Sequence, residues 1–167
     1  KEIGIKPVIV HGGGPQIDQK LKDKNIITEF INGLRITNKE VVEIVENVLD
    51  KIINKKIVDD ILNTGGKAIG LIGNQNNLIS AKKIEIKNNI DIGFVGSPTS
   101  INIDLINHYL DKDFIPVIAP LGTDGKSTYN INADTTAGAI AGALKSSKFI
   151  LLTDVSGILD QNNKSSE

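Results

Sequence analysis

The chain has 167 residues, and its 19 lysines and arginines nearly balance 20 aspartates and glutamates, which gives a net charge of −1. This balance argues against nucleic-acid binding, which usually requires a strong basic excess. The absence of cysteine excludes disulfides and thiolate metal sites, and two histidines are too few for a histidine-rich metal site. Hydrophobic residues make up 40 % of the chain, which is typical of a globular protein. The sequence has no membrane-spanning apolar run and no signal-peptide pattern, which predicts a cytoplasmic protein without a membrane partner.

The two ends predict an internal fragment. Residues 1–4 are typical of the last turn of a helix closed by glycine. Residues 160–167 form a polar, turn-like stretch that directly follows a predicted strand. Together with the absence of methionine, these features predict that structure is missing at both ends.

A loop of three glycines, residues 12–14, follows a β-branched strand over 8–10. Without Cβ atoms, backbone N–H groups can converge on an anion, and Pro15 suits the first turn of a helix whose positive end faces the same point. A dinucleotide fingerprint would need a glycine where Ile17 stands, and an esterase oxyanion hole would need a G-x-S-x-G nucleophile elbow, which this chain lacks. The loop is therefore an anion cradle or a plain tight turn, and His11 is expected to position it.

Strand and helix patterns alternate along the chain, which predicts an α/β layered sheet. Residues 78–86 are predicted to form a hairpin with the strand over 68–72, and residues 125–127 a hairpin turn. The strand over 149–153 is apolar until Thr153, as expected for a buried parallel strand. The other predicted elements are a strand over 116–121 and helices over 16–23, 102–110 and 133–144.

A long helical pattern follows Thr37, which is predicted to be an N-cap with Glu40 completing a capping box. Apolar residues recur at helical spacing over 41–53 and again over 57–62. Residues 54–56 interrupt this pattern. The segment is therefore either two consecutive helices or one kinked helix packed on the sheet.

Arg35 is the only arginine of the chain. Its planar guanidinium is suited to bidentate recognition of a carboxylate. The alternative is an ordinary surface arginine.

Three polar side chains precede the helix over 133–144. Alternation places Asn130, Asn132 and Asp134 on one side of an extended segment, opposite Ile131. Capping of the helix explains Asp134 alone, but three aligned polar side chains favour a binding site. The helix itself carries two glycines four residues apart, which predicts a narrow helix packed closely against another backbone.

Four motifs follow one another along essentially the whole chain, at residues 11–15, 33–37, 130–134 and 153–159. In this order and spacing they resemble those of the acetylglutamate kinases, a branch of the amino acid kinase family. Carbamate kinases, uridylate kinases, aspartokinases and glutamate 5-kinases lack the combination of the motifs at 33–37 and 130–134. The resemblance implies a three-layer αβα sandwich around a mainly parallel sheet, with a substrate lobe over 1–145 and the start of a nucleotide lobe over 146–167.

The same resemblance implies roles for individual residues. Arg35 is similar to the residue that binds the α-carboxylate of N-acetyl-L-glutamate, and Asn130 is a further substrate contact. The amides of Gly13 and Gly14 would line the γ-carboxylate and the transferred phosphoryl group, and Asp134 is similar to an aspartate that orients two catalytic lysines. The start of the ATP site would be Asp154, Val155, Ser156, Gly157, Ile158 and Leu159, with Mg²⁺ carried by the nucleotide and no protein metal site.

The resemblance also places the family's two catalytic lysines outside this chain, before Lys1 and beyond Glu167, so we expect the isolated chain to be inactive. The hairpin predicted over 68–86 resembles one that covers the substrate. The family generally forms dimers or hexamers, which predicts a homo-oligomer, whereas nothing in the residues supports a nitrogen-signalling regulator as partner. The alternatives are an amino acid kinase acting on another carboxylate, a non-catalytic amino-acid sensor, and an esterase-like hydrolase, for which a nucleophile elbow would have to lie outside the chain.

Overall fold

Three parallel strands form the centre of the fold in the computed structural model, which describes residues 4–86 and 90–152. The strands lie in the order β1 (Ile9–Val10), β7 (Ile115–Ala119), β4 (Ala68–Ile72). Ile118 of β7 lies between Val10 and Leu71. The strand predicted over 68–72 is confirmed at both ends.

Helices cover both faces of this sheet. On one face, Ile72 and Ala119 pack against α1 (Gly14–Asp23), α2 (Lys39–Asn47) and a π-helical segment (Val48–Asn54). On the other face, Leu71 and Ile118 pack against α4 (Ile103–Leu110) and α5 (Ala133–Ala143). Neighbouring residues of each strand thus pack against helices on opposite faces of the sheet, because side chains alternate between the two faces along a β-strand. The predicted three-layer αβα arrangement is confirmed.

A second sheet is formed by the two strands that follow β4 and the two that follow β7. Its order is β6 (Gly96–Ile101), β5 (Ile79–Lys83), β8 (Leu121–Thr123), β9 (Thr128–Asn130). The predicted hairpin between 68–72 and 78–86 is therefore wrong, because β5 pairs with β6 and β8 and not with β4. Gly73 permits this departure from the central sheet, since a Cβ there would collide with the carbonyl O of Leu121.

The helical stretch after Thr37 is continuous from α2 through the π-helical segment into α3 (Lys55–Asn63). A π-turn holds more residues than an α-turn, which shifts the apolar pattern and accounts for the interruption seen at 54–56. The predicted cap at Thr37 is wrong by one residue. Asn38 is the N-cap, because its Oδ1 accepts a hydrogen bond from the N–H of Val41 at 2.9 Å.

The helix predicted over 133–144 is confirmed as α5, but two expectations about it are wrong. Asn132 caps it by accepting from the N–H of Thr135, so Asp134 is not the cap. A Cβ at Gly138 or Gly142 would meet no atom within 4 Å, so these glycines do not mark a close approach to another backbone.

The strand predicted over 149–153 is also wrong for its described part. Residues 149–152 have no strand structure and pair with no other described residue, and Phe149 and Leu152 are exposed. Thr153 lies outside the described residues. An apolar run predicts burial, but a strand also needs a partner for its backbone N–H and C=O groups.

The remaining elements agree with the predictions more closely. The helix predicted over 102–110 is α4, which is capped by Asn102, and the turn at 125–127 joins β8 and β9 as an antiparallel hairpin. The strand predicted over 116–121 divides at Pro120 into β7 and β8. Among the described residues, no helix is both long enough and apolar enough to cross a membrane.

Candidate active site

The glycine loop joins the end of β1 to the first turn of α1. The N–H of His11 donates to the carbonyl O of Ile118 at 3.3 Å, which extends the pairing of β1 by one residue. Gly13 is the N-cap residue of α1, and Pro15 stands in the first turn, as predicted. Within the described part of the chain, no hydrogen bond occupies the N–H of Gly13 or Gly14, so the helix presents unpaired donors at its positive end.

Gly13 lies in close contact with two apolar side chains, and its backbone conformation does not itself call for glycine. Its φ of 178° is extended and open to any residue. A Cβ there would lie 2.5 Å from Cδ1 of Ile53 and 2.8 Å from Cδ2 of Leu49. The loop therefore rests directly on the π-helical segment.

A short hairpin presents Arg35. Its strands are β2 (Phe30–Ile31) and β3 (Leu34–Arg35), with Arg35 paired to Phe30. The two turn residues, Asn32 and Gly33, have positive φ angles of 52° and 76°, which is the conformation of a type I′ turn. This hairpin was not predicted, although an Asn-Gly pair between apolar residues is a strong hairpin signal.

The side chain of Arg35 is buried, with 6 % of the residue exposed. Its Nη1 donates to Oγ1 of Thr28 at 2.9 Å and forms an ion pair with Oδ1 of Asp18 at 2.7 Å. The guanidinium carbon lies 4.5 Å from the ring centroid of Phe30, within cation–π range. Nε and Nη2 have no hydrogen-bond partner among the described residues, so they are available to a ligand. The alternative interpretation of Arg35 as an ordinary surface residue is excluded by its burial.

Thr37 connects Arg35 to Asn130. Its fully buried hydroxyl donates to the carbonyl O of Arg35 at 2.8 Å and accepts from Nδ2 of Asn130 at 3.3 Å. Its N–H donates to the carbonyl O of Ile92, and its own carbonyl O accepts from the N–H of Phe94 at 2.6 Å. Thr37 therefore serves the site as a junction between β3 and the second sheet.

These elements enclose a cavity of about 190 Å³. All four residues predicted to bind substrate, Gly13, Gly14, Arg35 and Asn130, line it together. Polar donors thus stand among apolar walls, as in sites that bind small molecules. The other lining residues are Gly12, Ile17, Phe30, Gly33, Leu34, Leu49, Val95, Pro120, Ile131, Asn132 and Ala133.

The remaining predicted site residues lie elsewhere. Asp134 is exposed in the first turn of α5, next to Ala133 of the cavity wall but not part of that wall. Asn130 and Asn132 both line the cavity, but so does Ile131, which was predicted to lie on the opposite side. Asp134 does not join them, because the helix begins at Ala133. The predicted ATP-site residues 154–159 lie outside the described residues.

His11 supports the loop from behind. It is 7 % exposed and does not line the cavity. Burial lowers the pKa of its imidazole, and a hydrogen bond to the carbonyl O of Gly12 opposes this only in part. Burial therefore favours the neutral form of the ring.

Four residues that support the site were not identified from the sequence. Asp18, Thr28 and Phe30 hold the guanidinium of Arg35, and Asn54 contacts His11. None belongs to a local motif, and only Phe30 had a sequence signal, as the residue that an Asn-Gly hairpin would pair with Arg35.

The chain is similar to known proteins over nearly its whole length. A model of the amino acid kinase family matches residues 1–167. The chain is 50 % identical to the acetylglutamate kinase of Rhodospirillum centenum, covering 98 % of this chain and 57 % of that protein. It is 53 % identical to the acetylglutamate kinase of Thermoanaerobacter pseudethanolicus, covering 99 % and 56 %. The chain thus spans a little over half the length of the curated relatives it matches.

Two solved structures share the fold. The smu.665 protein of Streptococcus mutans has a TM-score of 0.87 at 32 % identity, over 96 % of this chain and 64 % of that one. The N-acetylglutamate synthase of Neisseria gonorrhoeae, complexed with coenzyme A and N-acetyl-glutamate, has a TM-score of 0.82 at 20 % identity, over 97 % and 37 %. The second likeness shows the fold alone.

Proposed function

Because this chain belongs to the amino acid kinase family, we propose that the protein containing it phosphorylates the γ-carboxylate of N-acetyl-L-glutamate with ATP. The product is the acyl phosphate N-acetyl-L-glutamyl 5-phosphate, an intermediate in arginine biosynthesis. The identity of about half the aligned residues with curated acetylglutamate kinases supports this choice of substrate.

The observation that carries the proposal is the cavity shared by Arg35, Asn130 and the glycine loop. A dicarboxylate needs a cation at one end and a second set of donors at the other. The free Nε and Nη2 of Arg35 are suited to the α-carboxylate, and the unpaired N–H groups of Gly13 and Gly14 to the γ-carboxylate and the transferred phosphoryl group.

The reaction needs no general base from this site. A γ-carboxyl group with a pKa of about 4.3 is already ionised near neutrality. One of its oxygens forms a bond to the γ-phosphorus of ATP, the bond from that phosphorus to the β,γ-bridging oxygen breaks, and ADP leaves with the electron pair. The task of the chain is to align the carboxylate and to place N–H donors where negative charge accumulates.

Other parts of the proposed machinery belong to the nucleotide side. Asp134, at the positive end of α5 and beside the cavity, is proposed to orient lysines that lie outside this chain. Asp154, Val155, Ser156, Gly157, Ile158 and Leu159 are proposed to begin the ATP site. Mg²⁺ bound to the nucleotide would neutralise charge on the transferring group. We further propose a homo-oligomer located in the cytoplasm.

The test uses the full-length protein and traps the acyl phosphate as a hydroxamate. N-acetyl-L-glutamate, L-glutamate, L-aspartate and UMP are compared in parallel with ATP and Mg²⁺. We expect a strong preference for N-acetyl-L-glutamate. Turnover of another substrate would retain the kinase and refute its specificity, and binding without turnover would favour the amino-acid sensor.

Substitution of Arg35 tests the specificity site in the same assay. Arg35→Ala should raise KM for N-acetyl-L-glutamate by about a hundredfold, since it removes a charge-assisted bidentate pair worth about 3 kcal/mol, and should leave KM for ATP nearly unchanged. Arg35→Lys keeps the charge but not the planar donors, so it should recover only part of the loss. Substitution of Lys24, an exposed residue at the end of α1, is the matched control, and Lys24→Ala should behave as the wild type. Equal increases in both KM values for Arg35→Ala would contradict the assignment.

A further inference from the structure

Asn54 is a buried polar residue that has no role in the proposed reaction. It ends the π-helical segment, and 3 % of it is exposed. Its Nδ2 donates to the carbonyl O of Val117 at 2.8 Å and lies 3.2 Å from Nε2 of His11. Gly70 leaves room for this side chain, because a Cβ there would collide with Oδ1 of Asn54.

These contacts determine which atoms carry protons. A carbonyl oxygen can only accept, so the Asn54 atom that faces Val117 is the amide nitrogen. Its second hydrogen is then directed at Nε2 of His11, which must accept. The imidazole proton is therefore on Nδ1, which donates to the carbonyl O of Gly12 at 2.9 Å.

The bond from His11 to Gly12 sets the direction of the next N–H group. In a trans peptide the C=O of one residue and the N–H of the following residue point in opposite directions. With the carbonyl O of Gly12 held against the imidazole, the N–H of Gly13 is directed away from His11. His11 lies outside the cavity wall, whereas Gly13 is part of it.

We propose that Asn54 is a positioning residue, which holds His11 as its neutral Nδ1–H tautomer and thereby aims the N–H of Gly13 into the cavity. The π-turn makes this contact possible, because the additional residue in the turn brings Asn54 beneath the glycine loop. π-Turns frequently occur at functional sites. The effect on catalysis rests on the proposed function, but the tautomer and the loop geometry do not.

The first test is ¹⁵N NMR of the imidazole nitrogens in histidine-labelled full-length protein at pH 7, with the His11 signals identified by their loss in His11→Gln. We expect a neutral ring protonated on Nδ1. In Asn54→Leu only the bond to Gly12 still favours this tautomer, so its population should fall and the backbone amide resonance of Gly13 should move. In Asn54→Asp, which replaces the donor by an acceptor of the same shape, His11 should instead be protonated on Nε2.

Val48→Ala is the matched control, because it creates a cavity in the same π-helical segment at a fully buried position. It should lower stability without changing the tautomer of His11 or the resonance of Gly13. The signals of His108, an exposed histidine on α4, should be the same in all variants. A wild-type His11 that is charged or protonated on Nε2 refutes the proposal, even if no variant folds.

The second test separates kcat from KM in the hydroxamate assay. Because the N–H of Gly13 is assigned to the transferring group, Asn54→Leu should lower kcat about tenfold, less than the hundredfold or more typical of deleting an oxyanion donor outright. KM for N-acetyl-L-glutamate should change by less than about threefold, since Arg35 still binds the α-carboxylate. An unchanged kcat despite an altered tautomer would refute the positioning role. If the wild-type protein does not phosphorylate N-acetyl-L-glutamate, the proposed function fails alone, and the NMR results still decide the role of Asn54.

Discussion

Gly93 offers a test of how the fold supports the substrate site. Its φ of +77° lies in the left-handed region, and it forms a bridge with Thr37, the residue that holds both Arg35 and Asn130. A Cβ at Gly93 would collide with the carbonyl O of Thr37 and lie 2.7 Å from its carbonyl carbon. Because these are backbone atoms, they cannot move aside as the end of a side chain can.

The expected cost of Gly93→Ala has two parts. A left-handed conformation costs a non-glycine residue about 1–2 kcal/mol, and overpacking against a fixed neighbour typically costs about 1–3 kcal/mol. The total is about 2–5 kcal/mol. Gly125 provides the matched control, since its φ is +88° but a Cβ there would meet no atom within 4 Å, so Gly125→Ala should cost only the first part.

Urea unfolding of the full-length variants, followed by far-UV circular dichroism, measures both costs. With a slope of about 2 kcal/mol per molar urea, the midpoint should fall by about 1–2.5 M for Gly93→Ala and by about 0.5–1 M for Gly125→Ala. The hydroxamate assay should also give a raised KM for N-acetyl-L-glutamate in Gly93→Ala only. Equal shifts of the two midpoints, or an unchanged KM in Gly93→Ala, would show that the contact between Gly93 and Thr37 does not support the site.

Two further predictions concern single hydrogen bonds. Thr28→Val removes one of the two oxygen partners of Arg35 Nη1 while keeping the shape of the side chain. Hydrogen bonds to charged groups contribute about 1.5–3 kcal/mol. Since the ion pair with Asp18 remains, we expect a loss at the lower end of this range, so that KM for N-acetyl-L-glutamate rises about tenfold. Thr28→Ser keeps the acceptor and should have a KM near that of the wild type. A wild-type KM in Thr28→Val would refute the role of this bond. Hydrogen bonds from the N–H groups of Ser127 and Lys126 and from the Tyr129 hydroxyl lower the pKa of the Asp124 carboxyl. These hydrogen bonds stabilise the folded protein above about pH 3.9, the pKa of an aspartate in the unfolded chain. The stabilisation is lost as the pH falls through the lower pKa that Asp124 has in the folded protein. Urea midpoints of wild type and Asp124→Asn should therefore differ at pH 7 and converge below pH 4, and a constant difference would contradict this assignment.

The sequence predicted best what is encoded locally. The glycine loop, the strand β4 and the helix α4 each depend on a short pattern of spacing and capping residues, and all three form as expected. Contacts between residues far apart in the sequence were harder to predict. The prediction of a strand within residues 78–86 is correct, but its predicted pairing is wrong, because the sheet that it joins depends on the backbone crossing allowed at Gly73.

The same distinction applies to the site. Arg35 could be selected as a candidate from its chemistry and its rarity, but its burial depends on Asp18 and Thr28, which come from α1 and the segment after it. Nothing in their local sequence marks these two residues. Likewise, an interrupted apolar pattern at residues 54–56 fits a break, a kink or a π-turn, and only the contact between Asn54 and His11 shows what the additional residue achieves.

The failure at residues 149–152 has a different cause. Their composition is that of a buried parallel strand, yet Phe149, Ile150, Leu151 and Leu152 are 50 %, 71 %, 49 % and 96 % exposed. Apolar composition measures what a segment would gain by burial, about 25 cal/mol for each Å² removed from water, but it does not supply the neighbouring strand that burial requires. Within residues 4–86 and 90–152 no strand pairs with this segment. For β7, apolar composition and available hydrogen-bond partners both indicate a buried strand, whereas here only the composition does. A strand prediction is therefore sound only where a partner for its backbone groups can be named as well.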